Sequence, residues 1–316
     1  VGPVAAALAL LVQMAGTIQD PAIRAATLDG LKPGTCVAHR AGLTAEGRQR
    51  IVESLVAAGF VAAGDKAMSG VFPPVLADGS DCPKLPQGFE RAPGSENGGH
   101  HSYPGGLAVH EAFNLRSSLN FFSLYESAYG PGVTLWRDLL VAAPIWHDWA
   151  KTLVFQWNPD GTEFAEFQIA GTGAHHILSL AETMKRGLPA DLILTQASAH
   201  AVPALGNEGK VVGFIRAAAI IARVDPVERG YLVRNAAGEF HVPHFLMEYS
   251  IHNLSDADFV VSIPAVQMVD GILKNLGYGT LERNRVLTQL TAERLLMVYE
   301  SKGLDGVKAE LKRVPR

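Results

Sequence analysis

The chain has 316 residues, 48% of them hydrophobic and 18% charged, enough apolar side chain to bury a large core and too little charge for a disordered chain. A formal net charge of −4 leaves no basic surplus to release counterions from a phosphate backbone, which argues against long nucleic acid as a partner. The two cysteines, Cys36 and Cys82, lack the C-x-x-C spacing of a zinc or redox site, so one disulfide and two inert thiols both remain open.

The first eighteen residues, "VGPVAAALALLVQMAGTI", carry no charged side chain and read either as the apolar part of an export signal or as a packing helix. A cytoplasmic and an exported location are therefore both compatible with the sequence. The run is short and Ala-rich for a membrane span, Gln13 and Gly16 interrupt it, and no later stretch approaches that length.

Helical spacing of Ile51, Leu55 and Val56 after a capping Thr44 predicts a helix over 44–60. Residues 64–106 are dense in Gly, Pro, Ser and Asp and read as a long irregular connection, a candidate lid over a site. Helices follow over 107–128 and 133–151. "TLVFQWNPDGTEFAEFQIA" predicts a hairpin around its Asn-Pro-Asp-Gly turn. Three more helices are expected over 174–186, 189–201 and 208–224, then a strand-like segment over 240–249 and helices over 263–276 and 281–302. The fold class is mostly α with small β-hairpin insertions, divided into an irregular, partly helical N-terminal extension (1–98), a central helical bundle (99–230) and a C-terminal helical extension (231–316).

Several polar residues sit where apolar helices would bury them. His110 shares a face with Leu107, Phe113 and Asn114. His147 and Asp148 end the next helix, His175 and His176 open another, His200 ends the fourth and Asp225 the fifth. Burying such groups unpaired is costly. Any one of them is more simply a satisfied core residue, but together they offer the imidazole and carboxylate donors that divalent Zn, Mn or Fe prefer, and a helix bundle converges such donors naturally.

This order of residues resembles the HD-domain superfamily of metal-dependent phosphohydrolases. "HHSYPGGLAVH" is similar to that family's H-H-x-x-x-G-G-L-x-x-H lead-in to its first ligand helix. "HDWAK" fits H-D-x-x-K, "HHILSLAE" resembles a helix in which a ligand His precedes Ala-Glu, and "AAAIIARVDPVE" looks like the apolar helix ending in the final Asp. The likeness covers about 100–229. It implies an HD-type helical bundle in which His110, His147, Asp148 and Asp225 hold one metal, while His176, preferred to His175 by spacing, and His200 hold a second, with Asp148 bridging. The implied cofactor is two divalent ions, whether Fe, Mn, Zn or Mg. The implied activity is hydrolysis of a small phosphoester or nucleotide by a metal-bridging hydroxide. Lys151 would stand near the substrate phosphate, and His101, with His100 beside it, would face the site from the glycine turn.

The sequence departs from the pattern at Pro144, three residues before His147, which requires a kink or a fresh first turn, and at Ala150, where the family usually has Gly. Two rivals use the same scaffold: an HD-type di-iron oxygenase, and a non-catalytic nucleotide-binding sensor that would lack ligands. "HVPH", His241 to His244, with Glu248 and His252 nearby, is a weaker metal pair, because the two histidines would face opposite ways in a strand. Arg116, Arg186, Arg216 and Arg223 flank the ligand helices as possible anion contacts, with solvated faces the simpler reading.

Overall fold

The structure is a computed structural model that describes residues 2–132, 134–204 and 206–315. It is mostly α-helical, as the sequence predicts, and the ladders among the described residues are two short antiparallel hairpins and a few isolated bridges. In chain order the helices are α1 (Pro3–Ala15), α2 (Pro21–Gly30), α3 (Ala45–Ala57), α4 (Ala67–Val71), α5 (Gly106–Tyr129), α6 (Arg137–His147), α7 (Lys151–Val154), α8 (Ala174–Lys185), α9 (Ala190–Ala197), α10 (Glu208–Ala222), α11 (Met247–Ser255), α12 (Phe259–Asn275), α13 (Thr280–Leu290) and α14 (Ala292–Leu311). Strands β1 (Gln168–Ile169) and β2 (Thr172–Gly173) pair just before α8, and β3 (Val233–Arg234) pairs with β4 (Phe240–His241).

The uncharged N-terminal run folds as the packing helix α1. Its Val4, Ala7, Leu11 and Ala15 recur at helical spacing and are buried against α5 and α6. Helix α6 is the central rod of the bundle, buried from Asp138 to His147 and flanked by α5, α8, α9 and α11. Trp146 and Trp149, both fully buried, donate their indole N–H groups to Thr27 Oγ1 and Gly30 O at 2.9 Å each, which fastens α2 to this rod. Truncating such a tryptophan to alanine costs about 3–5 kcal/mol.

Helix α6 runs straight through Pro144. That residue has no N–H for the carbonyl of Leu140, four residues back, and the Ser118 hydroxyl of α5 donates to that carbonyl instead, at 2.8 Å. The break falls after His147, where Asp148 leaves helical geometry (φ −109°, ψ 5°) before α7 starts at Lys151.

Two expectations shift, the helix read over 281–302 is in fact two, α13 and α14, and the cysteine pairing that the sequence leaves open is decided. The Asn-Pro-Asp-Gly turn forms, with Asn158 N–H donating to Thr162 O at 2.7 Å, but the paired strands lie later, over 168–173. The segment 240–249 is strand only at Phe240–His241. From Met247 it is helical, because Glu248, Tyr249, Ile251, His252 and Ser255 form a buried stripe that fits a helix and not a strand. Cys36 and Cys82 are joined as a disulfide.

Besides a small cluster of Leu135, Leu140 and Ile251, two main hydrophobic clusters form among the described residues. The larger takes in α1 to α10 together with Tyr249 of α11. The smaller is built from α12, α13 and α14 around Val266, Val269, Leu287 and Leu295, with Tyr103 inserted from the glycine turn.

Candidate metal centre

The site grows from the break at the end of α6. His147 donates its Nδ1–H to Pro144 O at 2.9 Å, which directs its Nε2 at the Asp148 and Asp256 carboxylates, 3.5 Å from each. A carbonyl can only accept, so the outward-facing nitrogen is the one left to bind a cation.

His110 arrives from α5, whose start is set by the Pro-Gly-Gly turn. A side chain at Gly106 would place its Cβ 1.9 Å from His101 O, so this close crossing requires glycine. His110 Nδ1 donates to Asp258 Oδ1 at 2.8 Å, and its Nε2 lies 3.2 Å from Asp148 Oδ2 and 3.3 Å from Asp256 Oδ1. His175, on the first turn of α8, repeats the arrangement. Its Nδ1 donates to Glu166 Oε1 at 2.5 Å and its Nε2 stands 3.2 Å from Asp148 Oδ1. Gly173, two residues before His175, serves this contact, since a Cβ there would sit 2.6 Å from the Glu166 carboxylate.

Asp256, directly after α11, completes the ring. Its Oδ2 is 3.4 Å from His200 Nε2, and Asn114 Nδ2 donates to its Oδ1 at 3.0 Å. His200 is the most open member, its side chain 40% exposed, whereas His110, His147 and Asp148 are buried. Lys151 pairs with Asp148 and donates to Gly94 O at 2.5 Å.

The electrostatics are those of a crowded, charged interior. Burial opposes the charged form of His147, yet Asp148, Glu111 and Asp256 raise it to about 10; Glu166 and Asp148 likewise lift His175 to about 9 against burial. Asp148 and Asp256 are held well below the carboxylate range despite burial, chiefly by His147. Burial keeps His176 and His100 well below the usual imidazole value, with His200 and Lys151 respectively adding to the effect.

Donors left without partners show what the site lacks. Both oxygens of Glu111, Nε2 of His147 and of His175, and both ring nitrogens of His176 and of His252 are buried without a hydrogen bond. Two sets of ligand atoms lie within 4.8 Å of one another: His110, Glu111, His147 and Asp148, and His100, His101, His110 and Asp258. Imidazole nitrogens and carboxylate oxygens at this density, several of them orphaned, could hold a metal ion.

The sequence-derived residues divide cleanly. His110, His147, Asp148, Lys151 and His200 meet at the site. Asp225 does not: it is exposed and accepts from the backbone N–H groups of Val227 and Glu228 at 2.8 and 3.0 Å, capping the turn after α10. Asp256 stands where Asp225 was expected. His101 sits behind His110 rather than facing the site. With φ 50°, it donates through Nε2 to Asp258 at 2.7 Å, while its Nδ1 lies 3.2 Å from the Tyr103 hydroxyl and 3.3 Å from Glu293 Oε1, so it braces the carboxylate that orients His110. His100 is the member of that pair on the cavity wall. His176 stacks on His200 with ring centroids 4.8 Å apart, and it is His175 that reaches Asp148.

The sequence also carried signals for residues that were passed over. Glu111 adjoins His110 on an apolar helix, and His252 and Asp256 are one helical turn apart. His241 and His244 take separate acids, Glu208 and Asp191, at 3.2 and 2.7 Å, and form no pair.

A cavity of about 490 Å³ opens onto the Asp148 and Asp256 carboxylates. Comparison of the chain with protein-family models, curated proteins and solved structures finds no match. The helical architecture with its His/Asp cluster is compatible with an HD-like fold.

Proposed function

We propose that the chain is a metal-dependent phosphohydrolase with two divalent cations. The observation that carries this reading is Asp148. Imidazole Nε2 atoms from α5, α6 and α8 converge on its carboxylate, and each of those rings has its Nδ1 fixed by an acceptor: Asp258, Pro144 O or Glu166. His110, His147, Asp148 and Asp256 would hold one cation. His175, His200 and the other oxygen of Asp148 would hold the second, with His176 behind them.

Cations there would supply Lewis acidity for activating water and offsetting phosphoryl charge. The protein's own groups position the ester. Asp148 raises the affinity of Lys151 for its proton against the opposing effect of burial, so the ammonium stays charged beside the phosphoryl oxygens as a point charge. His100 and Ser95 from the long irregular loop close one wall, and Phe155 and Asn253 stand on others. Water adds to phosphorus, the bond to the ester oxygen breaks, and the released alkoxide takes a proton to leave as alcohol.

The test is metal content of the purified full-length chain together with turnover of 4-nitrophenyl phosphate with Mn²⁺. The reading requires about two bound ions, turnover lost on chelation, and loss of both in Asp148→Ala. Iron with oxygen consumption, and no phosphoester turnover, would replace hydrolysis by oxygenation.

A further inference from the structure

We infer that this site takes monophosphate esters of small apolar alcohols rather than nucleoside triphosphates or oligonucleotides, an inference that rests on the two-cation phosphohydrolase reading. Two independent features of the cavity support it, its charge balance and its lip.

Among the described residues lining the cavity the carboxylates are Asp148, Glu166 and Asp256, the one Lys or Arg side chain is Lys151, and no arginine is present. With the lining histidines neutral, as metal ligands are, those side chains sum to −2, and two divalent cations bring the site to +2, the charge that one phosphomonoester dianion cancels. A triphosphate would leave its remaining phosphates facing carboxylates with no fork of donors to receive them. None of the four arginines that flank these helices in the sequence lines the cavity: Arg186 pairs with Glu182 and Asp29, Arg216 lies over Phe60 and Phe240, Arg223 is near His39 O and Ala41 O, and Arg116 is an exposed residue of α5.

The outer part of the cavity is apolar. Leu254 and Phe259 line it while each remaining 44% exposed, and Ala199, Ala257 and the buried Phe155 are further apolar residues of its lining. The next residues of α12, Val260 and Val261, are exposed as well. Open aromatic and aliphatic side chains directly beside a charged floor suit a ligand with a phosphoryl group at one end and hydrocarbon at the other.

The experiment uses the full chain with Mn²⁺. Calorimetry compares methylphosphonate with hexylphosphonate, and initial rates compare methyl phosphate, hexyl phosphate and a deoxynucleoside triphosphate. Hexylphosphonate should bind at least about tenfold more tightly than methylphosphonate, following methylene burial. Phe259→Ser and Leu254→Ser should erase most of that difference and raise KM for hexyl phosphate more than for methyl phosphate. Equal binding of the two phosphonates, or preferred turnover of the triphosphate, overturns the inference and leaves the phosphohydrolase reading standing. No phosphoester turnover and no phosphonate binding by metal-loaded protein sinks both.

Discussion

Glu182 on α8 and Glu111 on α5 are both fully buried carboxylates on core helices, and their surroundings differ in every respect. Glu182 accepts from the backbone N–H groups of Ala38 and His39 at 2.9 and 3.1 Å, from His39 Nδ1 at 2.7 Å and from Arg186 Nε at 2.7 Å. Glu111 accepts from nothing. Its nearest imidazole nitrogens are 3.7 and 3.9 Å away, and burial raises it to about 8. A satisfied carboxylate clasps the N-terminal segment to the bundle, whereas an orphaned one lies beside three other groups with which it could hold a metal ion. Buried acids and histidines are therefore not alike in meaning, and the count of satisfied atoms separates scaffold from site.

The contrast can be broken most forcefully at the clasp. Glu182→Gln leaves Arg186 and several buried N–H groups poorly paired, so chemical denaturation should show a loss of about 3–5 kcal/mol. That loss should be the same with or without metal. If the variant instead loses Mn²⁺ binding while keeping its stability, the clasp belongs to the site.

Next in size is the cation itself. At a Mn²⁺ concentration about 100 times its dissociation constant, the wild-type chain should gain about 2.7 kcal/mol, visible as a higher melting temperature that chelation reverses. Glu182→Gln should keep this increment and Asp256→Ala should lose it. Retention in Asp256→Ala, with loss in Asp225→Ala, would restore the assignment made from sequence alone.

A smaller effect of opposite sign is expected at Glu111. Replacing an unsatisfied buried acid by methionine removes its desolvation penalty, so metal-free Glu111→Met should be more stable than wild type by about 1–2 kcal/mol. Its Mn²⁺ affinity should fall. Destabilisation on denaturant titration would mean that Glu111 is a structural group after all.

The subtlest test is acidification. Burial lowers the affinity of His39 for a proton, with the Glu182 contact opposing it. A base whose folded value is depressed favours folding above its unfolded value, near 6.5, and that contribution disappears as pH falls towards the folded value. The melting temperature of metal-saturated protein should therefore drop as pH falls below about 6.5. The slope should be shallower in His39→Gln, and an unchanged slope would remove His39 as the cause.

Much of the framework was legible in the chain. The apolar spacing of α1, α5, α8 and α10 announced the bundle, and "HDWAK" carried a His, an Asp and a Lys that do share one point. The start of α11 was not legible, because Phe240, His241 and Val242 alternate like a strand and the pattern was extended past Pro243 into residues whose buried stripe is helical. That alternation hides the helical turn that sets Asp256 beside His252. Asp225 ends an apolar helix, as the resemblance requires, and a position in sequence does not say whether a side chain turns inward or caps its own turn.

The sequence by itself determined the helices and the residues that their apolar faces would drag into the interior, since hydrophobic periodicity fixes which face of each element leaves water. Only the tertiary structure decided which polar tips converge: Asp256 in place of Asp225, His175 ahead of His176, His100 inward and His101 behind. Those choices depend on how α11 and the glycine turn pack against α5 and α6. That packing is settled between elements distant in the chain, where local spacing holds no information.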